Sequence, residues 1–96
     1  MSVMRRGRKV SRPTLILYAL ASEQARFGLI VSKKVGGAVQ RNHIKRQLRH
    51  CAGALIDESR PMDVVVRALP TATAPEYDMA ADVRSAWIQA ARAVRP

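Results

Sequence analysis

The segment from Ala38 to Asp57 constrains this chain most, because apolar residues recur along it at steps of three and four. That spacing is typical of a helix that buries one side. The apolar face consists of Ile44, Leu48, Cys51, Ala52 and Leu55. Pro61 is expected to end the helix. Any fold of the 96 residues must therefore supply a layer against which one long amphipathic helix can pack.

A second face of the same helix is cationic. At about 100° per residue, Arg41, Lys45 and Arg49 form a stripe, and Asn42 and Arg46 widen it. Residues 26–50 contain seven lysines and arginines and no acid, and Lys33 and Lys34 extend the patch ahead of the helix. A basic face that only keeps the protein soluble is the alternative, but such surfaces usually mix both signs. The pattern predicts a core face and a separate face for backbone phosphates.

Charge over the whole chain supports a polyanionic partner. The sequence has 17 Lys and Arg against 7 Asp and Glu, for a formal net charge of +10. Residues 1–50 hold 12 of the cations and a single acid, Glu23, whereas residues 51–96 hold 5 cations and 6 acids. Nucleic acid is the first candidate partner and an anionic membrane surface the second. Most of the cations are arginines, which favours phosphate.

The remaining patterns predict an α+β protein with two helices on one face of a small sheet. The apolar runs 14–21 and 27–32 are expected to form an antiparallel hairpin, and residues 62–69 another strand. Residues 70–74 are expected to form a loop, and a last helix is expected to begin near Pro75, with Glu76 and Asp78 at the positive end of its dipole. Its predicted buried stripe is Ala80, Val83, Trp87, Ala90 or Ala91, and Val94. Residues 1–12 are a basic leader, too short and too charged for a stable helix alone.

Other classes of protein fit less well. The single cysteine, Cys51, excludes an intrachain disulfide and fits a reducing cytoplasm. The N-terminus lacks the apolar region of a secretory signal, and the longest apolar run, 15–21, is too short to span a bilayer. Neither a catalytic constellation nor a Gly-rich phosphate loop is evident, so no catalytic residue is predicted.

Metal sites are also weak candidates. A site made of His43, His50 and Cys51 would need three ligands from one helix, so surface histidines and a buried thiol are favoured, and no metal ligand is predicted. Asp78 and Asp82 lie one turn apart, but solvated residues near a helix start are favoured there as well. Trp87 is expected to pack in the core rather than stack on a base.

The run VSKKVGGAVQRNHIKRQLRH at 31–50 resembles the signature of the bacterial ribonuclease P protein family. That signature has the form Lys-Lys-x-Gly-x-Ala-Val-x-Arg-Asn-Arg-x-Lys-Arg-x-x-Arg. The order of the flanking segments also matches, from RRGRKVS and LILYAL through GLIVS to DVVVRAL and a terminal helix. The resemblance covers nearly the whole chain, and so many matched positions in one stretch make it specific.

This resemblance implies a single RNA-binding domain over residues 1–96. Its fold would be the small α/β sandwich shared with a ribosomal-protein domain, with the basic helix in a left-handed β-α-β crossover. The protein would be the accessory subunit of a cytoplasmic endoribonuclease that matures the 5′ end of tRNA. Hydrolysis would reside in a catalytic RNA with its magnesium ions, and the protein itself would bind no cofactor. The expected partners are that RNA and precursor tRNA, with no membrane and no obligate protein partner.

The resemblance also assigns residues. RNA contacts are implied for one set of side chains, which is Lys33, Lys34, Arg41, Asn42, His43, Lys45, Arg46 and Arg49. Tyr18 would lie in a cleft on the exposed sheet face that holds the single-stranded 5′ leader, and would offer a ring for stacking; an ordinary strand aromatic is the equal alternative.

The chain departs from the family pattern in two places. His43 stands where the family has arginine, so a contact there should be weaker near pH 7 and stronger in acid. Only six residues precede Gly7, and Met4 stands where an aromatic is expected. Either the N-terminal helix is shortened and the protein has half a leader site, or the true start of the chain lies further upstream.

Three other functions remain as alternatives. A structural RNA-binding protein, such as a ribosomal component, shares the charge but should not accelerate tRNA maturation. A self-sufficient nuclease would cleave RNA without an RNA subunit. A DNA-binding helix-turn-helix is weaker, because a strand rather than a second helix flanks the basic helix.

Overall fold

The computed structural model describes residues 7–58 and 61–94. Along this part of the chain the elements are β1 (Arg8–Ser11), β2 (Leu15–Ala21), β3 (Arg26–Ile30), α1 (Ala38–Glu58), β4 (Met62–Ala68) and α2 (Met79–Ala93). Two short 3₁₀ helices, Lys33–Val35 and Pro70–Thr73, precede α1 and α2. The predicted α+β class is confirmed. The predicted N-terminal helix and Met4 lie outside the described residues.

The four strands form one sheet in the order β1-β2-β4-β3. Strand β4 is antiparallel to β2 and parallel to β3, so it lies between the two strands that were expected to pair directly. The predicted hairpin of residues 14–21 and 27–32 is therefore wrong. The four residues between β2 and β3 cross the end of β4, where the Ser22 amide donates to the Pro61 carbonyl.

The valines of β4 explain why it takes the central position. Val64, Val65 and Val66 are all buried, so β4 has apolar side chains covered on both faces of the sheet. A strand of this kind gains most where both of its edges and both of its faces are covered. A β2–β3 hairpin would have left β4 at an edge, with half of its backbone groups unpaired.

Helix α1 connects the parallel strands β3 and β4, which are neighbours in the sheet. This is the β-α-β crossover that the family resemblance implies; its left hand stays a prediction. The chain leaves the sheet at the end of β3 and returns to it at β4, so α1 must lie against one side of that sheet, with its apolar face toward it. Ile44, Leu48 and Ala52 are buried there, and Cys51 and Leu55 pack half-buried against the same core.

Alternation along the strands divides the sheet into two faces. Leu15, Leu17 and Ala19 of β2 pack with the helices, whereas Ile16, Tyr18 and Leu20 point to the opposite face. The helix side holds the main core. Trp87 of α2 lies in that core, 2% exposed, with its ring centroid 5.9 Å from that of Phe27. Core packing of Trp87 is therefore confirmed.

Strand β1 is an element that the sequence patterns did not predict. It is four residues long, and three of them are exposed, so it carries no clear alternation. Val10 alone is buried, opposite Leu17 of β2. Pairing with the long apolar strand β2, rather than its own composition, makes this basic stretch a strand.

Helix α2 begins at Met79, four residues later than Pro75, because Asp78 caps it. The Asp78 carboxylate accepts from the Ala81 amide at 3.1 Å, and Glu76 lies outside the helix. The predicted stripe is correct for Val83, Trp87, Ala90 and Val94. It is wrong for Ala80, which is exposed, whereas Met79 and Ala86 are buried in addition.

Asp82 is not the solvated residue that was expected. Its Oδ2 atom accepts from the Thr14 hydroxyl at 2.6 Å and from the Thr14 amide at 3.2 Å. Thr14 is fully buried, and its carbonyl accepts from the Leu69 amide at 2.9 Å. One carboxylate on α2 thereby holds the connection between β1 and β2 against the helix layer.

The start of α1 depends on two glycines. Gly36 has φ 157° and ψ −170°, a conformation essentially restricted to glycine. The Gly37 amide donates to the side-chain oxygen of Gln40, the third residue of α1, at 3.3 Å. This is the backward half of a capping box, and it folds the Gln40 side chain over Gly36.

We expect Gly36→Ala to lower the free energy of unfolding by about 1–3 kcal/mol, because a side chain strains this backbone and a Cβ would collide with Gln40. Gly37→Ala is the matched control: the Gly37 Cβ would meet no atom within 4 Å, and its φ is not positive. Urea unfolding monitored by Trp87 fluorescence measures both. Equal losses would contradict a special role for Gly36.

Removing the Asp82 carboxylate should destabilise the fold, because it leaves the buried Thr14 without its hydrogen-bond acceptor. We expect Asp82→Ala to lower the free energy of unfolding by about 1–3 kcal/mol, because the Thr14 hydroxyl and amide lose their acceptor. Asp82→Asn keeps one acceptor oxygen and should lose less. Chemical denaturation compares the two variants, and an alanine variant as stable as the parent would refute this account.

Candidate nucleic-acid interface

The side chains assigned to RNA lie on α1 and on the 3₁₀ helix just before it. Val35 is buried under that 3₁₀ helix and leaves Lys33 and Lys34 exposed beside the start of α1. On α1 itself the exposed members are Asn42, His43, Arg46 and Arg49, and the half-buried members are Arg41 and Lys45. We call the eight residues together the α1 surface.

Arg41 lies closer to the core than its place in the stripe predicted. It is seven residues before the fully buried Leu48, and residues seven apart occupy nearly the same side of a helix. The stripe therefore starts beside the core at Arg41 and turns outward through Lys45 to Arg49. The expected separation of cationic and apolar faces holds for Arg46 and Arg49 and is wrong for Arg41.

The Nε atom of Arg41 is buried and has no hydrogen-bond partner among the described residues. An unsatisfied buried donor costs about 1–3 kcal/mol, so such groups are uncommon in folded proteins. The guanidinium is planar, and its other nitrogens can reach outward from the same position. Arg41 is thus a donor-rich group at the edge of the core for which the described part of the chain supplies no acceptor.

No described carboxylate neutralises the α1 surface. Among the side chains that the structure describes, residues 7–56 and 61–94, the only ion pair joins Arg26 and Asp63, which lie on β3 and β4. The first turn of α1 contains no acid either. The positive end of the helix dipole and the lysines beside it therefore add to one uncompensated positive field.

The face of the sheet opposite the helices has an apolar floor. Tyr18 and Val65 are buried there, and Ile16, Leu20 and Ile30 pack around them. The sheet register aligns Lys9, Tyr18, Val65 and Gly28 in one row across all four strands. Tyr18 thus lies on the predicted face, but only 8% of it is exposed, so it forms part of the floor rather than a projecting ring.

Two cations on this face were missed by the sequence reasoning. Lys9 is the β1 neighbour of Tyr18, and Arg67 of β4 pairs in register with Ile16 and Ile30. Both side chains are exposed, and neither has an ion pair with a described residue. Alternation from the buried Val66 places Arg67 opposite the core and was a signal that could have identified it.

The other end of the same face is closed by an ion pair. Arg26 binds Asp63 through two hydrogen bonds, Nε to Oδ1 at 2.8 Å and a terminal nitrogen to Oδ2 at 3.0 Å. The hydrogen bond and the charge of Asp63 raise the pKa of Arg26 above its ordinary value. The apolar floor therefore lies between Arg67, which has no ion pair with a described residue, and the Arg26–Asp63 pair.

The described residues contain neither a cluster of metal ligands nor a helix suited to a bilayer. Within these residues no three His, Cys, Asp or Glu side chains are grouped so that they could hold a metal ion, which includes the His43, His50 and Cys51 alternative. None of the helices in this part of the chain combines the length and apolarity that crossing a bilayer requires.

Comparisons with known proteins agree with this geometry. The family model for ribonuclease P matches residues 1–91. The ribonuclease P protein component of Corynebacterium diphtheriae is 42% identical over 96 residues, covering 88% of this chain and 81% of that protein. That of Kocuria rhizophila is 44% identical, covering 95% and 84%. That of Mycolicibacterium vanbaalenii is 46% identical over 71 residues, covering 68% of this chain and 60% of the relative.

Solved structures show the same fold at lower identity. The RNase P protein of Staphylococcus aureus superposes with a TM-score of 0.74 at 23% identity, covering 95% of this chain and 84% of that one. The RNase P protein of Thermotoga maritima gives 0.73 at 18% identity, covering 99% and 90%. The sequence and structural matches extend over nearly the whole chain, and on these grounds the chain belongs to the bacterial ribonuclease P protein family.

Proposed function

We propose that the chain is the protein component of a ribonuclease P ribonucleoprotein that removes the 5′ leader from precursor tRNA. The α1 surface binds the catalytic RNA, and the helix-free sheet face binds the single-stranded leader. The observation that carries this proposal is the absence, among the described residues, of any carboxylate paired with the α1 surface.

Backbone phosphates of RNA would pair with the cations of the α1 surface, which have no carboxylate partner among the described residues. Its stripe from Arg41 to Arg49 rises about 12 Å along a rigid helix, so its donors face successive positions of a nucleic-acid backbone. A phosphate oxygen near Arg41 would accept from the terminal nitrogens of its guanidinium, since the Nε atom is buried. Because the cations carry no internal partners in the described chain, binding RNA breaks no ion pair within the protein.

The sheet face suits a flexible single strand. Its floor of Tyr18, Val65 and neighbouring aliphatic side chains is apolar, and Lys9 and Arg67 stand beside that floor. Unstacked bases pack on apolar and aromatic surfaces, and their phosphates need cations nearby. Base-paired RNA presents no such exposed rings, so this face fits the leader better than a duplex.

Chemistry is assigned to the RNA subunit and its magnesium ions. The residues of this protein bind and orient the two RNAs, which is a positioning contribution in a cytoplasmic ribonucleoprotein. In this assignment the chain is the accessory subunit of an endonuclease, a hydrolase whose product is the mature tRNA 5′ end.

The α1 surface can be tested by removing its stripe. We expect Arg41→Ala, Lys45→Ala and Arg49→Ala together to weaken binding to the catalytic RNA and to cut cleavage of precursor tRNA at low magnesium. Loss of three phosphate contacts should reduce the slope of log affinity against log salt by about 2–3. Filter binding over a salt series measures the slope, and a reconstituted cleavage assay measures activity.

A charge-preserving variant is the matched control for that experiment. Arg41→Lys, Lys45→Arg and Arg49→Lys together keep all three cations, so most of the salt slope should remain. Because Arg41 and Lys45 are half-buried, urea unfolding of both variants checks that the fold is retained. Undiminished low-magnesium cleavage by the folded alanine variant would refute the assignment.

If the helix-free sheet face binds the leader, changes on it should weaken binding of precursor tRNA but not of mature tRNA. We expect Tyr18→Ala to weaken holoenzyme binding of precursor tRNA about fivefold and to leave mature tRNA unaffected. That factor corresponds to about 1 kcal/mol, the lower limit for base stacking, because little of the ring is exposed. Tyr18→Phe keeps the floor and should bind like the parent. An equal loss for both tRNAs would argue against a leader site.

A further inference from the structure

A second basic surface lies on the outer side of α2. Arg12, in the connection between β1 and β2, extends over this helix and is held there by three hydrogen bonds. Its Nε donates to Ser85 Oγ at 2.8 Å, and one terminal nitrogen donates to Gln89 Oε1 at 2.6 Å. The other terminal nitrogen donates to the Ser11 carbonyl at 2.9 Å.

All three acceptors of Arg12 are neutral, so the guanidinium is fixed in place and no described carboxylate pairs with its charge. A guanidinium carries five N–H groups, and two of them remain available after these bonds are made. Fixing a flexible side chain in advance removes much of the entropy cost of binding. The described structure therefore presents a pre-oriented cation rather than an ordinary solvated arginine.

Arg12 borders an open depression of about 520 Å³ that also includes Arg92. The other residues that line it are Ser85, Ile88, Gln89 and Ala93, so none of the described acids faces it. Arg92 is exposed and has no hydrogen bond or ion pair with another described residue. The nearby acids on α2 are engaged elsewhere, Asp82 with Thr14 and Asp78 in the helix cap.

We propose that the Arg12–Arg92 depression binds a backbone phosphate of RNA, as a second contact separate from the α1 surface. This inference rests on the proposed function, since the RNA is the catalytic subunit already assigned to α1. Two arginines without an acid match a phosphodiester, and Ile88, 43% exposed, offers an apolar contact for a ribose. Helices α1 and α2 are in contact with each other, so contacts on both would hold one RNA at two points and define its orientation.

Single charge removals on one helix test the proposal. Arg12→Gln and Arg92→Gln should each weaken binding of the full chain to ribonuclease P RNA about tenfold, as expected for one hydrogen bond to a charged group. Each should also lower the salt slope by about 1. Arg84→Gln is the matched control: it removes the same charge from the same helix, but Arg84 borders the neighbouring groove with Asp78. Its effect on affinity should be at most about twofold.

The outcomes separate this inference from the function on which it rests. If Arg12→Gln and Arg92→Gln match Arg84→Gln while the parent binds the RNA and supports cleavage, the second contact is overturned and the proposed function stands. If the parent neither binds the RNA nor supports cleavage, the proposed function fails. Arg92 has no bond to lose within the described structure, so its variant decides the test even if Arg12→Gln proves unstable.

Discussion

The burial of β4 on both faces is the constraint from which the rest of the structure follows. Its consecutive valines need a cover on each side and a strand at each edge, and β2 and β3 supply the two edges. Once β3 and β4 are parallel neighbours, the chain between them must cross over the sheet. The crossover is α1, so the position of the basic helix depends on the packing of a strand that contributes no cation to it.

The same arrangement separates burial from charge. Packing against the sheet uses Ile44, Leu48 and Ala52, and the remaining surface of α1 is left to cations that no described carboxylate balances. Such a concentration of like charge disfavours the compact state and is retained only at some cost in stability. Arg41 shows that cost locally, since its Nε is buried without an acceptor. An RNA partner would relieve the repulsion.

Sequence patterns identified the elements far better than their pairing. Helical spacing identified α1 and most of the buried stripe of α2, because a helix face is a property of neighbouring residues. The prediction of a β2–β3 hairpin followed the general tendency of consecutive strands to pair. It was wrong because β4 lies between these two strands, and the sequence patterns do not reveal that competition. Strand β1 was missed because its own sequence has no strand pattern, and only pairing with β2 makes it a strand. Ala80 was placed in the core because periodicity alone does not distinguish it from its neighbour Met79, which is the residue that packing buries.

The candidate sites divide in the same way. The sequence by itself determined the long amphipathic helix, its row of cations and the family to which the motif points, since all of these lie within one contiguous stretch, residues 31–57. Only the tertiary structure decided that Lys9 and Arg67 share a face with Tyr18, that Asp82 binds Thr14, and that Arg12 reaches Ser85 and Gln89. The physical reason is range: helical periodicity acts between residues three or four apart, whereas these contacts join residues far apart in sequence, which only the packed sheet and helices bring together.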